Sequence, residues 1–363
     1  MKQLFVFSIF TLLLSACSPK EQKLSKEEAI DFAQKIQASM RKQSPDMFDS
    51  IFYIPVFAKR VAAYGHLTFS GKLMGEVSTA ILKAKWGKEI LRSIGKDGSF
   101  EFVRHYEKEK HHHAIFRLYC SEGINYFDLE LVRFKDQIKA ADMYVFTLGQ
   151  NISEALADVI DVFDKHEKGK SGQLKYQYQN HLKEIKALVR ERQFEEAKKY
   201  FDKLPESFKK EKLFMVVNIT ICSELDEDLY KAALVQLESK YPNEPSTQLF
   251  LIDSYIIDKD FDHALNAVDI LDSAVKTDPL LNFLRGNIYA QKEDYSKAIL
   301  CYEQLKKDKP EFDDGIIELM NAYFTTGEVE KGKELVTEYQ ANKSLSQEKL
   351  ETIKMLYPQY VSE

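Results

Sequence analysis

The sequence predicts an α+β domain, helices first and then a four-stranded antiparallel meander, followed by an all-α superhelix of stacked helical repeats. Three features predict it. Apolar residues recur at helical spacing between Ser25 and Ile94, switch to a period of two between Phe100 and Leu148, and from Tyr255 onward fall into columns 34 residues apart. A period of 3.6 marks a helix with one buried face, and a period of two marks a half-buried strand. A fixed interval of this length marks a helix-turn-helix repeat.

The helical part opens at Ser25, where Glu28 completes a capping box and Ala29, Phe32, Ala33, Ile36 and Met40 share a face. Pro55 is placed to open a second helix, and a third is expected over 72–94. Four alternating runs, 100–107, 112–120, 124–134 and 138–148, then read as strands joined by polar turns, and a helix over 153–163 closes the domain. This order is loosely similar to cystatin-like and SnoaL-like folds, which hold small molecules between sheet and helix. The resemblance makes Asp142, expected on one strand face with Ala140, Tyr144 and Phe146, a candidate pocket residue.

In the C-terminal half, Tyr255, Tyr289 and Tyr323 form one column. Phe261, Tyr295 and Val329 form a second, and Ala264, Ala298 and Gly332 a third. Val268, Tyr302 and Val336 make a fourth, and Leu271, Leu305 and Tyr339 a fifth. Small residues in the third column let two helices cross closely, and the aromatics fill the space between neighbours. The segment "GNIYAQKEDYSKAILCYEQLKKDKP" resembles a tetratricopeptide repeat (TPR): Gly286, Tyr289, Tyr295, Ala298, Tyr302 and Pro310 stand at its signature positions. Arg285 departs from the usual leucine. Leu188, Phe194, Ala197, Phe201 and Leu204 repeat the logic upstream, while the unit near 211–244 is degenerate.

Five TPR-like units over 178–346, with a capping helix and tail over 347–363, are therefore expected. The resemblance implies a concave groove for a protein or peptide partner. Its positions are Leu249, Asp253, Ile257, Phe283, Asn287, Gln291, Ile317, Asn321 and Phe324. Phe283, Asp314 and Glu318 replace the lysines and arginines of a carboxylate clamp, which leaves an apolar, amide-lined groove.

The chain begins with an 11-residue apolar run, Leu4 to Leu14, behind Lys2. A membrane span takes about 20 such residues, so the run suits the core of a secretory signal. Leu14-Ser15-Ala16-Cys17 resembles the bacterial lipobox. The resemblance implies cleavage after residue 16, lipidation of Cys17 with fatty chains such as palmitate, and anchoring in the outer membrane, facing either the periplasm or the exterior. The expected order is signal peptide 1–16, tether 17–23, α+β domain 24–164, linker 165–177 and repeats.

Net charge is −6, with acidic and basic residues intermixed, so no basic face points to nucleic acid. Beyond Cys17 stand three scattered cysteines, which excludes a disulfide-stapled scaffold. Gly169-Lys170-Ser171 lacks the upstream glycine of a phosphate loop, because Asp164 stands there. His111-His112-His113 alternates between strand faces, so at most two could share an ion. His105 is within reach of His112, but no carboxylate pattern is evident to complete a site. No catalytic residue, cofactor or metal is expected. The reading is a lipid-anchored, non-catalytic cell-envelope scaffold. Small-molecule binding or catalysis in the N-terminal domain, with the repeats as docking platform, is the alternative. A structural stalk, its groove filled by the chain's own residues, is a third.

Overall fold

The structure, a computed structural model, describes residues 22–121, 123–167, 172–242, 244–342 and 345–361. The signal peptide, Cys17 and Gly169-Lys170-Ser171 lie outside them. Five helices come first: α1 (Lys26–Arg41), α2 (Asp46–Asp49), α3 (Ile54–Tyr64), α4 (Gly71–Ala84) and α5 (Trp86–Ile94). The Ser25 hydroxyl accepts from the Glu28 N–H while the Glu28 carboxylate accepts from the Ser25 N–H at 3.0 Å, so the capping box is formed. The single helix expected over 72–94 is two. Lys85, at φ +51°, turns the chain out of the helical ladder, and the Asp49 carboxylate takes the Gly87 N–H at 2.8 Å to start α5.

The sheet has five strands in sequence order, all antiparallel: β1 (Ser99–Lys108), β2 (His111–Cys120), β3 (Gly123–Phe134), β4 (Gln137–Val145) and β5 (Gln150–Asn151). Glu109 and Lys110, both at positive φ, close the first hairpin in two residues, which matches strand twist. β5 is the strand beyond the four expected: the chain turns at Phe146–Gly149 and comes back onto β4. One face carries Phe100, Phe116, Phe127, Leu129 and Met143 into a core shared with Ala33, Ile36 and Val61. A bulge between Glu130 and Leu131 sets Ala140 opposite Leu131 and Asp142 opposite Glu130. Ala140 therefore joins the helix-side core, and the face expected to hold it together with Asp142 is divided.

The remaining helices are α6 (Ile152–Glu167), α7 (Gly172–Arg190), α8 (Phe194–Asp202), α9 (Glu206–Lys209), α10 (Lys212–Ser223) and α11 (Glu227–Lys240). Then come α12 (Pro245–Ile257), α13 (Phe261–Val275), α14 (Leu281–Gln291), α15 (Tyr295–Asp308), α16 (Asp313–Thr326), α17 (Val329–Ala341) and α18 (Gln347–Leu356). Most of the linker expected over 165–177 is helical, taken up by the end of α6 and the start of α7. From α7 to α17 the helices pair as a run of helical repeats consistent with a superhelix.

The sequence columns have direct physical counterparts. Phe261, Tyr295 and Val329 are the first residues of α13, α15 and α17, and the Asp260 and Asp294 side chains cap two of these helices. Ala264 and Ala298 are fully buried at crossings. Gly286 makes room for the Tyr302 ring, and Gly332 for the Phe324 ring. No described helix is long and apolar enough to cross a membrane.

Candidate functional site

The first helices of three successive pairs, α12, α14 and α16, carry the groove positions, and the sheet meets these helices near where they begin. On the face of the sheet away from α1, Ile115, Ile124, Tyr126 and Phe146 join one apolar cluster with Ile252, Leu271, Val275 and Leu281. Leu249 and Phe283 pack onto that cluster. The Tyr119 ring stands edge-on to Phe283 at 6.2 Å and to Phe312 at 5.1 Å, and its hydroxyl donates to Asp314 at 2.6 Å. Burial and the Asp314 carboxylate together push this phenol well above its usual range.

Charge locks the contact. Arg117, on β2, is 2% exposed and pairs with the Asp278 carboxylate in the α13–α14 connection, which is fully buried. Tyr126 donates to the same carboxylate at 2.7 Å. The second Arg117 nitrogen reaches Glu101 at 2.6 Å, and Glu101 also receives Lys309 at 2.9 Å and Arg41 at 3.1 Å. Burial raises the Glu101 pKa, but Arg117, Lys309 and Arg41 outweigh it and hold the carboxyl below the usual range. Arg104 donates to the Val275 carbonyl at 2.5 Å and Lys212 to that of Gly149 at 3.1 Å. Gly149 is at φ +63°, and a Cβ there would meet the Ser246 Cβ at 2.7 Å, so glycine alone permits this approach of turn to repeat.

The predicted groove positions thus divide into four groups. Leu249 and Phe283 are covered by the chain's own sheet. Phe324 is 4% exposed beneath Tyr357 and Tyr360 of the tail, and Asn321 accepts from the Tyr357 hydroxyl, so neither is open groove. Ile317 packs partly buried in the same terminal core. The Asn287 amide oxygen accepts from Tyr302 at 2.7 Å. Asp253, Ile257 and Gln291, toward the far ends of α12 and α14, remain exposed and form the free lip. Tail aromatics carry no repeat signal, which is why sequence reasoning missed the plug over Phe324.

Asp142 is 1% exposed and accepts from the Ser153 hydroxyl, from the Ser153 N–H at 3.2 Å and from the Met143 N–H at 2.9 Å, with Arg60 at 3.6 Å. Burial pushes its carboxyl up despite these donors. A depression of about 450 Å³ lies among Glu303, Lys307, Tyr323 and Glu334, and one of about 260 Å³ among Met40, Ile94 and Phe100. Neither touches Asp142, which acts as a cap on α6.

The histidines alternate as strand geometry requires. His111 pairs with Glu130 and His113 with Asp128 at 3.1 Å on one face. On the other, His112 meets His105 and Glu107. Glu107 is the carboxylate that sequence reasoning passed over. Its signal was the His-x-Glu spacing facing His112 across the hairpin.

Residues 185–207 match the PPR repeat family. The match spans the end of α7, α8 and the start of α9, within the first repeat pair, and is a likeness to a TPR-like helical repeat. No curated protein matches the chain. A degenerate helical repeat is a scaffold for protein interaction.

Proposed function

We propose that the protein is a lipid-anchored, non-catalytic scaffold of the bacterial outer membrane that holds a protein or peptide partner on its repeats, on either the periplasmic or the outer side. The observation that carries this is the exposed lip of Asp253, Ile257 and Gln291 on a repeat stack whose deeper groove is already filled. The sheet is then a built-in brace that fixes the curvature of the stack and leaves a narrower strip for the partner. That strip mixes one apolar side chain, one amide and one carboxylate, chemistry suited to a peptide segment rather than to a free carboxylate terminus.

Lipobox-like Leu14-Ser15-Ala16-Cys17 supports the anchor. Each buried methylene of an acyl chain contributes about 0.8 kcal/mol, so two or more chains hold the protein at the membrane. The readings of a ligand pocket at Asp142 and of chemistry in the N-terminal domain have less support, because the Asp142 oxygens are already taken by donors.

Two substitutions test the proposal. Cys17→Ala should abolish labelling by a palmitate analogue and release the protein from membranes; retained labelling would rule out the anchor. Ile257→Asp with Gln291→Lys should remove the partner recovered with the full-length anchored protein. Unchanged recovery of that partner would mean the lip is not the recognition surface.

A further inference from the structure

We propose that His105, Glu107 and His112 form a zinc site at the tip of the β1–β2 hairpin. Their ligand atoms, Nε2, a carboxylate oxygen and Nδ1, lie within 4.8 Å of one another. His105 Nε2 is 2.8 Å from His112 Nδ1, which is 3.8 Å from Glu107 Oε1. Around a tetrahedral zinc with bonds of about 2.0–2.2 Å, ligand atoms stand about 3.3–3.6 Å apart. The two imidazoles must therefore part by about half an ångström and the carboxylate swing inward, by rotation about side-chain bonds alone. Glu107 has that freedom, since its side chain is 59% exposed.

The backbone supplies the arrangement. His105 and Glu107 are two residues apart on one strand and so share a face, and Glu107 is directly opposite His112 in the β1–β2 register. The two-residue turn at Glu109 and Lys110 fixes that register two pairs away. His112 is oriented from behind. Its Nε2 is 2.8 Å from the Leu24 carbonyl, which can only accept, so the proton is on Nε2 and the Nδ1 lone pair faces the site. An imidazole held by a backbone carbonyl in this way is the usual outer support of a zinc-binding histidine.

Two imidazoles and one carboxylate select a borderline ion such as zinc over magnesium or calcium, which prefer all-oxygen shells. Three protein ligands leave a fourth position, toward solvent beside exposed Glu107, for water. Leu24 immediately precedes the cap of α1, so the bound ion would tie the hairpin tip to the point where the chain enters the domain.

Zinc titration of the full chain against a chromophoric chelator tests this, with Co²⁺ substitution as a spectroscopic readout. The expected result is one equivalent of Zn²⁺ bound and a Co²⁺ spectrum of low coordination number. Glu107→Gln and His105→Asn should each weaken binding by at least about tenfold, while His66→Ala, distant in sequence and outside the cluster, should leave it unchanged. Glu107 is exposed, so its variant folds even if a His112 variant does not. Absence of a stoichiometric site, or equal binding by Glu107→Gln, His105→Asn and the unaltered chain, would overturn the proposal.

Discussion

Replacing Arg117 with Met should release the sheet from the repeats. The methionine keeps the aliphatic bulk but strands the Asp278 carboxylate, fully buried, with the Tyr126 hydroxyl and the Leu280 N–H as its remaining donors among the described residues. Removing one partner of a buried ion pair costs about 3–5 kcal/mol, because the remaining charge is uncompensated. Glu101 keeps Lys309 and Arg41, so the loss is concentrated at Asp278. At a urea slope of about 3 kcal/mol per molar, the unfolding midpoint should fall by about 1–1.7 M. Adding Asp278→Asn should recover part of it, since a neutral amide oxygen still accepts from Tyr126, giving a coupling energy of about 1–3 kcal/mol in the double-mutant cycle. Urea unfolding of the four proteins measures this. A midpoint shift below about 0.3 M, equivalent to about 1 kcal/mol, would refute the claim that this pair locks sheet to repeats.

Gly149→Ala should destabilise the chain by about 2–4 kcal/mol, from positive φ and from the clash with Ser246; thermal unfolding checks it, and a neutral effect would mean the turn does not press on α12. Acid should loosen the same contact. The Glu101 pKa is depressed in the folded state, so its stabilisation is present above the unfolded value of about 4.3 and is lost as pH falls through the lower folded one. Stability measured from pH 6 to pH 3 should therefore drop less in Glu101→Gln than in the unaltered chain, and equal slopes would count against this assignment.

Much of the fold was legible because its signals are local or periodic. The capping box at Ser25, the strand alternation and the start of every second helix from Phe261 onward depend on residues within one turn or one repeat. What was not legible depends on single backbone events or distant contacts. Lys85 at positive φ divides α4 from α5 without a glycine to announce it. The bulge after Glu130 moves Asp142 and Ala140 to opposite faces, and no composition marks it. The repeat register alone proposes a set of groove positions, but which of them are covered is decided by Tyr119 and Tyr357, remote in the chain from the residues they cover.

Whether the sheet occupies the near half of the repeat groove and leaves the lip free is decided by a photo-crosslinking amino acid placed at Phe283 or at Ile257 in the full-length protein. Phe283 should give crosslinks within the chain, to β2 near Tyr119, and Ile257 should give adducts to another protein. Intermolecular adducts from Phe283, with none from Ile257, would contradict it.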